Sequence, residues 1–537
     1  MNLLNLPLIT TIDPAGAEKS RRTLPGTLAA LVAGDIGDFP RLRPHQRHVW
    51  HALLVQLATL ALATTGRQDL PENEDDWRAL LLALTPDDAD GAAWSLVSPP
   101  DRPAFLQAPV PGGNLADFKP VATPDELDML IMSKNHDLKA GALPADDAEL
   151  WLYALVSLQT QEGFLGAGNY GISRMNGGFA SRPAVSVTPE TTAAQFQRDC
   201  RAALGKRAEL ANANGYKSTG GIGLVWLVPW DGTQSLALDK LDLFYVEICR
   251  RIRLMRQGAS LVAMAVSTKV PRLQAKELKG RTGDLWTPRV VEKDGAKAFT
   301  ADSRGWTYQQ MVRLLFPRQS KKGDTIEKAP LQEVLPTDAG ADLTVLARVV
   351  VRGQGKTEGY HERRVPISKF LRGFGTAKAT DLAADIAHDR VGDAGTFARQ
   401  VVFPAVMAVY AGAPRKDAGE RARDDDTTKA RAGNATARFD TLLDPHFFDD
   451  LGEEIGVMDD AEARHLVRAR WISARLRDIG RAVLDEAIAN APDAAARHWR
   501  VRVTARDVFE ASFAKQFGDR LREAGVWIDK DKEEANG

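Results

Sequence analysis

The sequence has little cysteine, no excess of either charge and no long apolar run, and each shortage excludes a class of protein. Its 537 residues include only two cysteines, which excludes a disulfide framework or a cysteine-rich zinc site. We therefore expect a soluble protein in the reducing cytoplasm. The formal net charge is −1, whereas domains that coat nucleic acid on their own are usually strongly basic. A local basic surface is still compatible with nucleic-acid binding.

No apolar run reaches the length of about 20 residues that a membrane-spanning helix needs. Residues 1–11 lack the basic segment of a signal peptide, so we expect no membrane association. The composition is 44% hydrophobic and 26% charged, which is typical of globular proteins. At about 150 residues per domain, the length predicts two to four domains.

The first half of the chain contains three predicted helices. Apolar residues recur at helical spacing over residues 44–65, 146–161 and 239–257. Residues 221–230 are predicted to form a buried strand. The glycine-rich stretch 163–178 follows the second helix, and its composition predicts a loop with unusual backbone freedom.

Two strand-like runs, residues 343–352 and 360–367, predict a hairpin with a longer glycine-rich loop at residues 353–359. From about residue 377 the pattern is almost entirely helical, with an apolar stripe at Ile472, Leu476, Ile479 and Val483.

The fold class that these patterns predict is α+β. We expect a large mixed α/β N-terminal domain over residues 1–375, followed by a C-terminal helical bundle of the four-helix type over residues 376–537. A segment at about 413–438 is dense in both charges and poor in large apolar residues, so we expect a flexible, solvated connection there.

Two glycine motifs suggest nucleotide binding but lack the required context. Residues 166–171 match GxGxxG, yet a predicted helix precedes them where a dinucleotide fold needs a strand. Residues 355–357 resemble the end of a P-loop, but Val350 occupies the position that requires glycine. The favoured interpretation of the first motif is a loop whose backbone is structural or approaches a ligand closely.

His45, His48 and His51 follow one another at three-residue intervals. No HExxH pattern and no third carboxylate ligand accompany them, so a structural role is favoured over a metal site. The sequence also contains no nucleophile elbow and no pattern of acidic residues typical of a nuclease. We predict that the chain is not an enzyme.

Four stretches, in this order, resemble the CasA-type large subunit of the type I-E CRISPR Cascade surveillance complex. They are residues 127–139 (LDMLIMSKNHDLK), 151–183 (ending GFLGAGNYGISRMNGGFASRP), 283–316 (containing GDLWTP and AFTADSRGWTYQQMVRLLF) and 352–366 (RGQGKTEGYHERRVP). A predicted helical bundle follows them, as in the family, so the resemblance extends over nearly the whole chain.

The resemblance implies a non-catalytic subunit of an RNA-guided antiviral defence complex. Such a subunit recognises the protospacer-adjacent motif in duplex DNA, starts strand separation for R-loop formation and helps to recruit a helicase-nuclease. The implied partners are guide RNA, the other Cascade subunits, double-stranded target DNA and that helicase-nuclease. No cofactor is implied, and no metal is expected because the cysteine pairs of some relatives are missing.

The resemblance assigns the first stretch to the RNA 5′ handle. Asn135 and Leu138 match the docking positions of the family's loop, although some relatives have an aromatic residue in place of the leucine. Lys134, His136 and Lys139 add groups that contact phosphates. The alternative is a polar surface loop.

The second and third stretches resemble the parts that contact the minor groove of the motif. Gly166 and Gly168 let the backbone approach base edges, and Asn169 and Tyr170 add donors and an aromatic face. A groove-contacting lysine corresponds to either Lys276 or Lys279. The alternatives are a structural loop and ordinary solvated lysines.

The fourth stretch resembles the family's wedge hairpin, whose side chains replace base stacking as the first pair opens. Gln354, Lys356 and Thr357 lie at the predicted tip, and Arg352, with Arg363 and Arg364, is expected to hold phosphates nearby. The alternative is an exposed hairpin that carries ordinary charges.

In the predicted bundle, Arg464, Arg468 and Arg475 share one helix edge, and in the family this bundle contacts DNA strands and neighbouring subunits. A solvated helix face is the alternative. Two other functions stay open for the whole chain: a scaffold subunit without direct DNA contact, and a nucleotide-dependent enzyme.

Overall fold

The structure is a computed structural model, and it describes residues 1–88, 90–128, 143–175, 181–320, 323–353, 356–367, 377–411, 426–491 and 495–526. The chain divides into two units. The first comprises Met1–Trp306 and Gln319–Ile367, and the second comprises Thr307–Arg318 and Ser368–Gly537.

Five α-helices lie in the described part of the first unit. They are α1 (Leu24–Ala33), α2 (Arg47–Thr65), α3 (Glu74–Leu82), α4 (Ala148–Gln161) and α5 (Thr192–Asn214). The predicted helices at residues 44–65 and 146–161 are confirmed, and the carboxylate of Asp147 caps α4 by accepting a hydrogen bond from the Glu149 amide at 3.1 Å. The segment Pro44–Thr65 is long and apolar enough to cross a membrane, but most of it is buried, which is typical of a core helix.

Thirteen strands are described, all in the first unit: β1 (Ile9–Ile12), β2 (Lys19–Arg22), β3 (Lys119–Val121), β4 (Ala184–Pro189), β5 (Ile222–Leu224), β6 (Leu241–Val246), β7 (Arg251–Gln257), β8 (Ser260–Val266), β9 (Arg289–Glu292), β10 (Gly295–Ala298), β11 (Thr325–Glu327), β12 (Leu343–Gly353) and β13 (Lys356–Ile367). They form small sheets. Two of these concern the site: β12 lies between β4 and β13, and β8 lies between β3 and β7, all antiparallel.

The helix predicted over residues 239–257 is wrong. Two strands, β6 and β7, occupy this region instead. All six residues of β6 are buried, so the strand lacks the alternation that distinguishes a half-buried strand from a buried helix. The strand predicted over residues 221–230 is shorter than expected, because a 3₁₀ turn, Val225–Leu227, follows β5.

The second unit is helical, as predicted. Its helices are α6 (Tyr308–Leu315), α7 (Ala377–Phe397), α8 (Phe403–Tyr410), α9 (Asp426–Leu443), α10 (Phe447–Gly456), α11 (Ala461–Trp471), α12 (Arg477–Ala489) and α13 (Ala495–Glu523). The π-type turns Ala398–Val402 and Ile472–Leu476 join α7 to α8 and α11 to α12. The predicted α+β class is therefore confirmed.

The prediction of a flexible connection at residues 413–438 is wrong for its second half, because α9 begins at Asp426. This helix buries Thr428, Ala432, Phe439 and Leu443 along one side. The residues buried in the first part of the helix are small. The sequence therefore showed no large apolar residues there, although one side of the helix is buried.

Candidate nucleic-acid interface

The glycine loop, defined here as residues 163–175, begins directly after α4 and is closed by main-chain hydrogen bonds. The Ile172 amide donates to the Glu162 carbonyl at 3.0 Å, and the Asn169 amide donates to the Gly166 carbonyl at 3.0 Å. Gly166 and Gly168 have φ values of +109° and +84°. Residues with a Cβ rarely adopt such values, so glycine is required at both positions.

Gly168 is also a point of close approach. A Cβ built on Gly168 would lie 2.7 Å from the Cβ of Ser267. The Thr268 amide donates to the Gly168 carbonyl at 2.9 Å. The loop is therefore fixed against the segment that follows β8.

The side chain of Arg250 binds the main chain of the glycine loop. Its buried guanidinium donates to the Gly163 carbonyl at 3.1 Å and to the Tyr170 carbonyl. The side-chain oxygen of Gln159 in turn accepts from the Arg250 amide at 2.8 Å. Because the guanidinium bonds to both Gly163 and Tyr170, it fixes the separation of these two parts of the loop.

The last part of the loop enters a buried polar network. The hydroxyl of Ser173 donates to the Glu247 carboxylate at 2.8 Å, and the guanidinium of Arg174 lies 3.6 Å from the centre of the Tyr245 ring. Burial raises the pKa of Glu247, and the nearby Arg174 charge offsets this only in part. These contacts belong to the framework that supports the loop.

Tyr170 and Lys276, which were assigned to the same surface from sequence, do lie together. They line one apolar cleft, whose other walls include Phe164, Met175 and Leu273. Lys276 is exposed, and within the part of the chain that the structure describes no carboxylate pairs with its ammonium group. The charge of this lysine is therefore directed to solvent beside the glycine loop.

Lys279 is exposed as well and has a left-handed backbone, with φ of +48°. Its carbonyl accepts from the Ala298 amide at 2.8 Å. A further exposed lysine, Lys269, was missed in the sequence: its carbonyl accepts a hydrogen bond from the Tyr170 hydroxyl at 3.1 Å. It is 99 residues from Tyr170 along the chain, so no local motif indicated this proximity.

The wedge hairpin, defined here as β12 and β13, has longer strands and a shorter connection than predicted. Lys356 and Thr357 belong to β13, while Gln354 lies outside the described residues together with residue 355. Val351 pairs with Gly359, but Arg352 pairs with Thr357. The extra residue on β13 makes a β-bulge, which changes the direction of the strand.

Arg352, which was expected to hold phosphates near the hairpin tip, does not lie at the surface. Its side chain is buried and forms an ion pair with the carboxylate of Glu162. Burial raises the pKa of Glu162, and the Arg352 charge opposes that rise. Arg352 is therefore a structural partner of the residue that closes the glycine loop.

A polar cluster lies on the hairpin around Glu362. This carboxylate accepts hydrogen bonds from Arg348 at 2.8 Å, Tyr360 at 2.7 Å and Arg364 at 3.0 Å. Burial raises the pKa of Glu362, but the Arg348 charge and these hydrogen bonds lower it more, to about 2. The charge of Arg364, expected to hold phosphate, is thus partly neutralised. Arg363 donates to the Trp306 carbonyl at 3.0 Å.

The three histidines of α2 and the turn before it contact separate partners. His45 lies 2.6 Å from Asp128, His48 lies 2.6 Å from the amide of Gln161, and His51 lies 2.8 Å from Asp199. Burial and then the charge of Arg348 hold the pKa of His48 well below its usual value. These contacts support the structural interpretation of the histidines.

The arginine edge of the bundle is largely paired with carboxylates of α10. Arg468 bonds to Glu454 at 2.7 Å, and Arg475 bonds to Asp450 at 3.1 Å. Within the described ranges, Arg464 makes no ion pair. The edge therefore offers less free positive charge than the sequence suggests.

The predicted RNA-handle residues, Lys134, Asn135, His136, Leu138 and Lys139, all lie outside the described residues.

The chain has the fold of the CasA (Cse1) proteins. It is similar to CasA (Cse1) of Thermus thermophilus, with a TM-score of 0.59 and 15% identity over 96% of this chain and 99% of that chain. It is also similar to Cse1 of Acidimicrobium ferrooxidans, with a TM-score of 0.60 and 16% identity over 97% of this chain and 98% of that chain. For Cse1 of Thermobifida fusca, the TM-score is 0.58 and the identity is 16% over 98% of each chain. No protein-family model and no curated protein matches the sequence.

Proposed function

We propose that this chain is the CasA-type large subunit of a type I-E CRISPR Cascade complex and has no catalytic activity of its own. It recognises the protospacer-adjacent motif in duplex DNA, starts strand separation and helps to recruit a helicase-nuclease. The partners are guide RNA, the other Cascade subunits and target DNA, and the location is the cytoplasm. The shared fold supports this assignment.

One observation carries the DNA-binding part of the proposal. The glycine loop, which has glycine at two positions and is held by hydrogen bonds, lies beside exposed lysines. Gly166 and Gly168 leave the backbone of the loop open to close approach. Lys269 and Lys276 are exposed and neighbour Tyr170, Lys269 through its main-chain carbonyl and Lys276 in the same cleft. Backbone groups and Tyr170 suit the edges of a minor groove, which carries a degenerate code, while lysines suit the flanking phosphates.

The hairpin suits strand separation. Its two strands are paired up to Gly353 and Lys356, so the strand that precedes Gln354 in the sequence is held by hydrogen bonds along its length. A polar side chain there replaces hydrogen bonds of the first base pair, whose unstacking costs about a few kcal/mol. We assign the RNA-handle contact to Lys134, Asn135, His136, Leu138 and Lys139 from the resemblance alone.

The test is target binding by a reconstituted Cascade that contains variants of this chain. Gly166→Asp places a carboxylate next to the groove, and we expect motif-dependent binding to fall. Gln354→Ala is expected to leave motif binding intact and to slow R-loop formation. A matched control is Gly220→Ala, another glycine with positive φ and open space around it. If Gly166→Asp and Gln354→Ala both behave like the control, the chain is a scaffold without DNA contact.

A further inference from the structure

A buried ion pair connects the glycine loop to the wedge hairpin. The main-chain carbonyl of Glu162 closes the loop by accepting from the Ile172 amide at 3.0 Å. Its carboxylate accepts a hydrogen bond from the guanidinium of Arg352 on β12. Glu162 therefore contacts the loop through its main chain and the hairpin through its side chain.

Both side chains are shielded from water. Glu162 is 0% exposed and Arg352 is 2% exposed. Among the described residues, Oε2 of Glu162 has no hydrogen-bond partner, so the carboxylate depends on the bond from Arg352 to its other oxygen. Removing either charge takes away the ion-pair partner of a buried charged group, which is strongly destabilising. The relative position of the two residues is therefore strongly specified.

On the hairpin, Arg352 lies at the β-bulge. It is the residue at which the pairing of β12 with β13 shifts, and it precedes Gln354 by two positions in the sequence. Because a bulge bends a strand and changes the direction of its side chains, an anchor at this residue controls where the end of β12 points.

A second contact runs beside the first. Gln161, the neighbour of Glu162, bonds to His48 at 2.6 Å. The His48 ring stacks on Tyr360 of β13, with ring centres 6.2 Å apart and an interplanar angle of 18°. The end of α4 is therefore connected to both strands of the hairpin.

We infer that Glu162 and Arg352 are positioning residues that couple motif reading to strand separation. Because Glu162 closes the glycine loop and its carboxylate holds Arg352, the ion pair fixes the position of the end of β12 relative to the loop that contacts the motif. Neither side chain is assigned a contact with DNA. The inference rests on the proposed function, and it adds a residue pair that acts through the loop and the hairpin.

The test compares two quantities in reconstituted Cascade: binding of a duplex that carries the motif without a matching target, and the rate of R-loop formation on a matching target. For Glu162→Gln and Arg352→Met, we expect motif binding within about twofold of the wild type and R-loop formation slower by about tenfold, a size typical of coupling between sites. A target with unpaired bases beside the motif is expected to restore the rate. The double variant is expected to be no slower than either single variant.

The matched control is Asp338→Asn, which breaks another buried pair, with Arg198, whose side chains are both 6% exposed. We expect it to lower stability without changing the ratio of motif binding to R-loop rate. If Glu162→Gln does not assemble, Glu162→Asp keeps the charge, shortens the side chain and is expected to show the same defect to a smaller degree.

Two results overturn the inference. One is a parallel loss of motif binding and R-loop formation that the unpaired target does not restore, since this marks a purely structural pair. The other is a wild-type R-loop rate in both variants. Failure of the proposed function is distinguishable, because the wild-type chain would then give no motif-dependent binding.

Discussion

Gly168 shows how one residue can carry two requirements at once. Its φ of +84° is unfavourable for any residue with a Cβ, and the space that a Cβ needs is occupied by Ser267. Spacing in the sequence indicated that glycine mattered here, but it did not show that the neighbour is Ser267, about 100 residues away. The same holds for Arg250, because no pattern in the sequence associates it with the loop.

Replacement of Gly168 by alanine is expected to lower stability and weaken motif-dependent binding. A left-handed backbone costs a residue with a Cβ roughly 1–2 kcal/mol, and the contact with Ser267 adds to this cost. The control is Gly205→Ala, because Gly205 is exposed within α5 with open space around it. That change is expected to stabilise the protein by roughly 0.5–1 kcal/mol. Thermal unfolding measures the stability of the two variants, and DNA-binding assays measure their motif-dependent binding. Equal stability changes in the two variants would contradict the prediction.

Glu362 gives a prediction about acid stability. Its pKa is about 2 in the folded chain, against 4.5 as the ordinary value. A depressed pKa stabilises the folded state above pH 4.5, and this contribution is lost as the pH falls towards 2. Glu362→Gln is therefore expected to be less stable than the wild type at neutral pH, with a difference that disappears between pH 4.5 and 2. Urea unfolding of both proteins across this pH range measures the difference in stability. A difference at pH 2 as large as that at neutral pH would contradict the prediction.

Among the elements, the sequence predicted those that local apolar periodicity determines. The helices that became α2 and α4 have long apolar repeats, and Asp147 caps α4. The run that contains β6 and β7 was misread because buried strands are continuously apolar. The hairpin was predicted, but its bulge was not, since the shift at Arg352 depends on the pairing of two strands.

The helices of the second unit are joined by a buried charge cluster that yields another prediction. Glu454 of α10 pairs with Arg390 of α7 and Arg468 of α11, and the Arg390 side chain is 0% exposed. Glu454→Gln removes the ion-pair partner of a buried guanidinium, so we expect a loss of about 3–5 kcal/mol. The control is Asp485→Asn, which breaks an exposed pair with Arg506 and is expected to cost at most about 1 kcal/mol. Thermal unfolding compares them; equal losses contradict this assignment.

At the scale of the molecule, the fold class followed from the order of the predicted elements and is confirmed by the shared fold with Cse1 structures at 15–16% identity. The candidate site was only partly predictable. The resemblance assigned Tyr170 and either Lys276 or Lys279 to one groove-contacting surface, and the structure brings Tyr170 and Lys276 to one cleft. The ion pair of Glu162 with Arg352 joins residues 190 positions apart, and no local pattern contains that information.

Target binding by reconstituted Cascade tests most directly whether this protein reads the motif. The binding is measured with and without this chain, on DNA that carries or lacks candidate motifs. We predict that the chain confers motif-dependent binding and R-loop formation, and that rising salt weakens the binding because lysine–phosphate contacts release counterions. Binding that is the same in the absence of the chain, or that ignores the motif in its presence, contradicts the claim that this protein reads the motif.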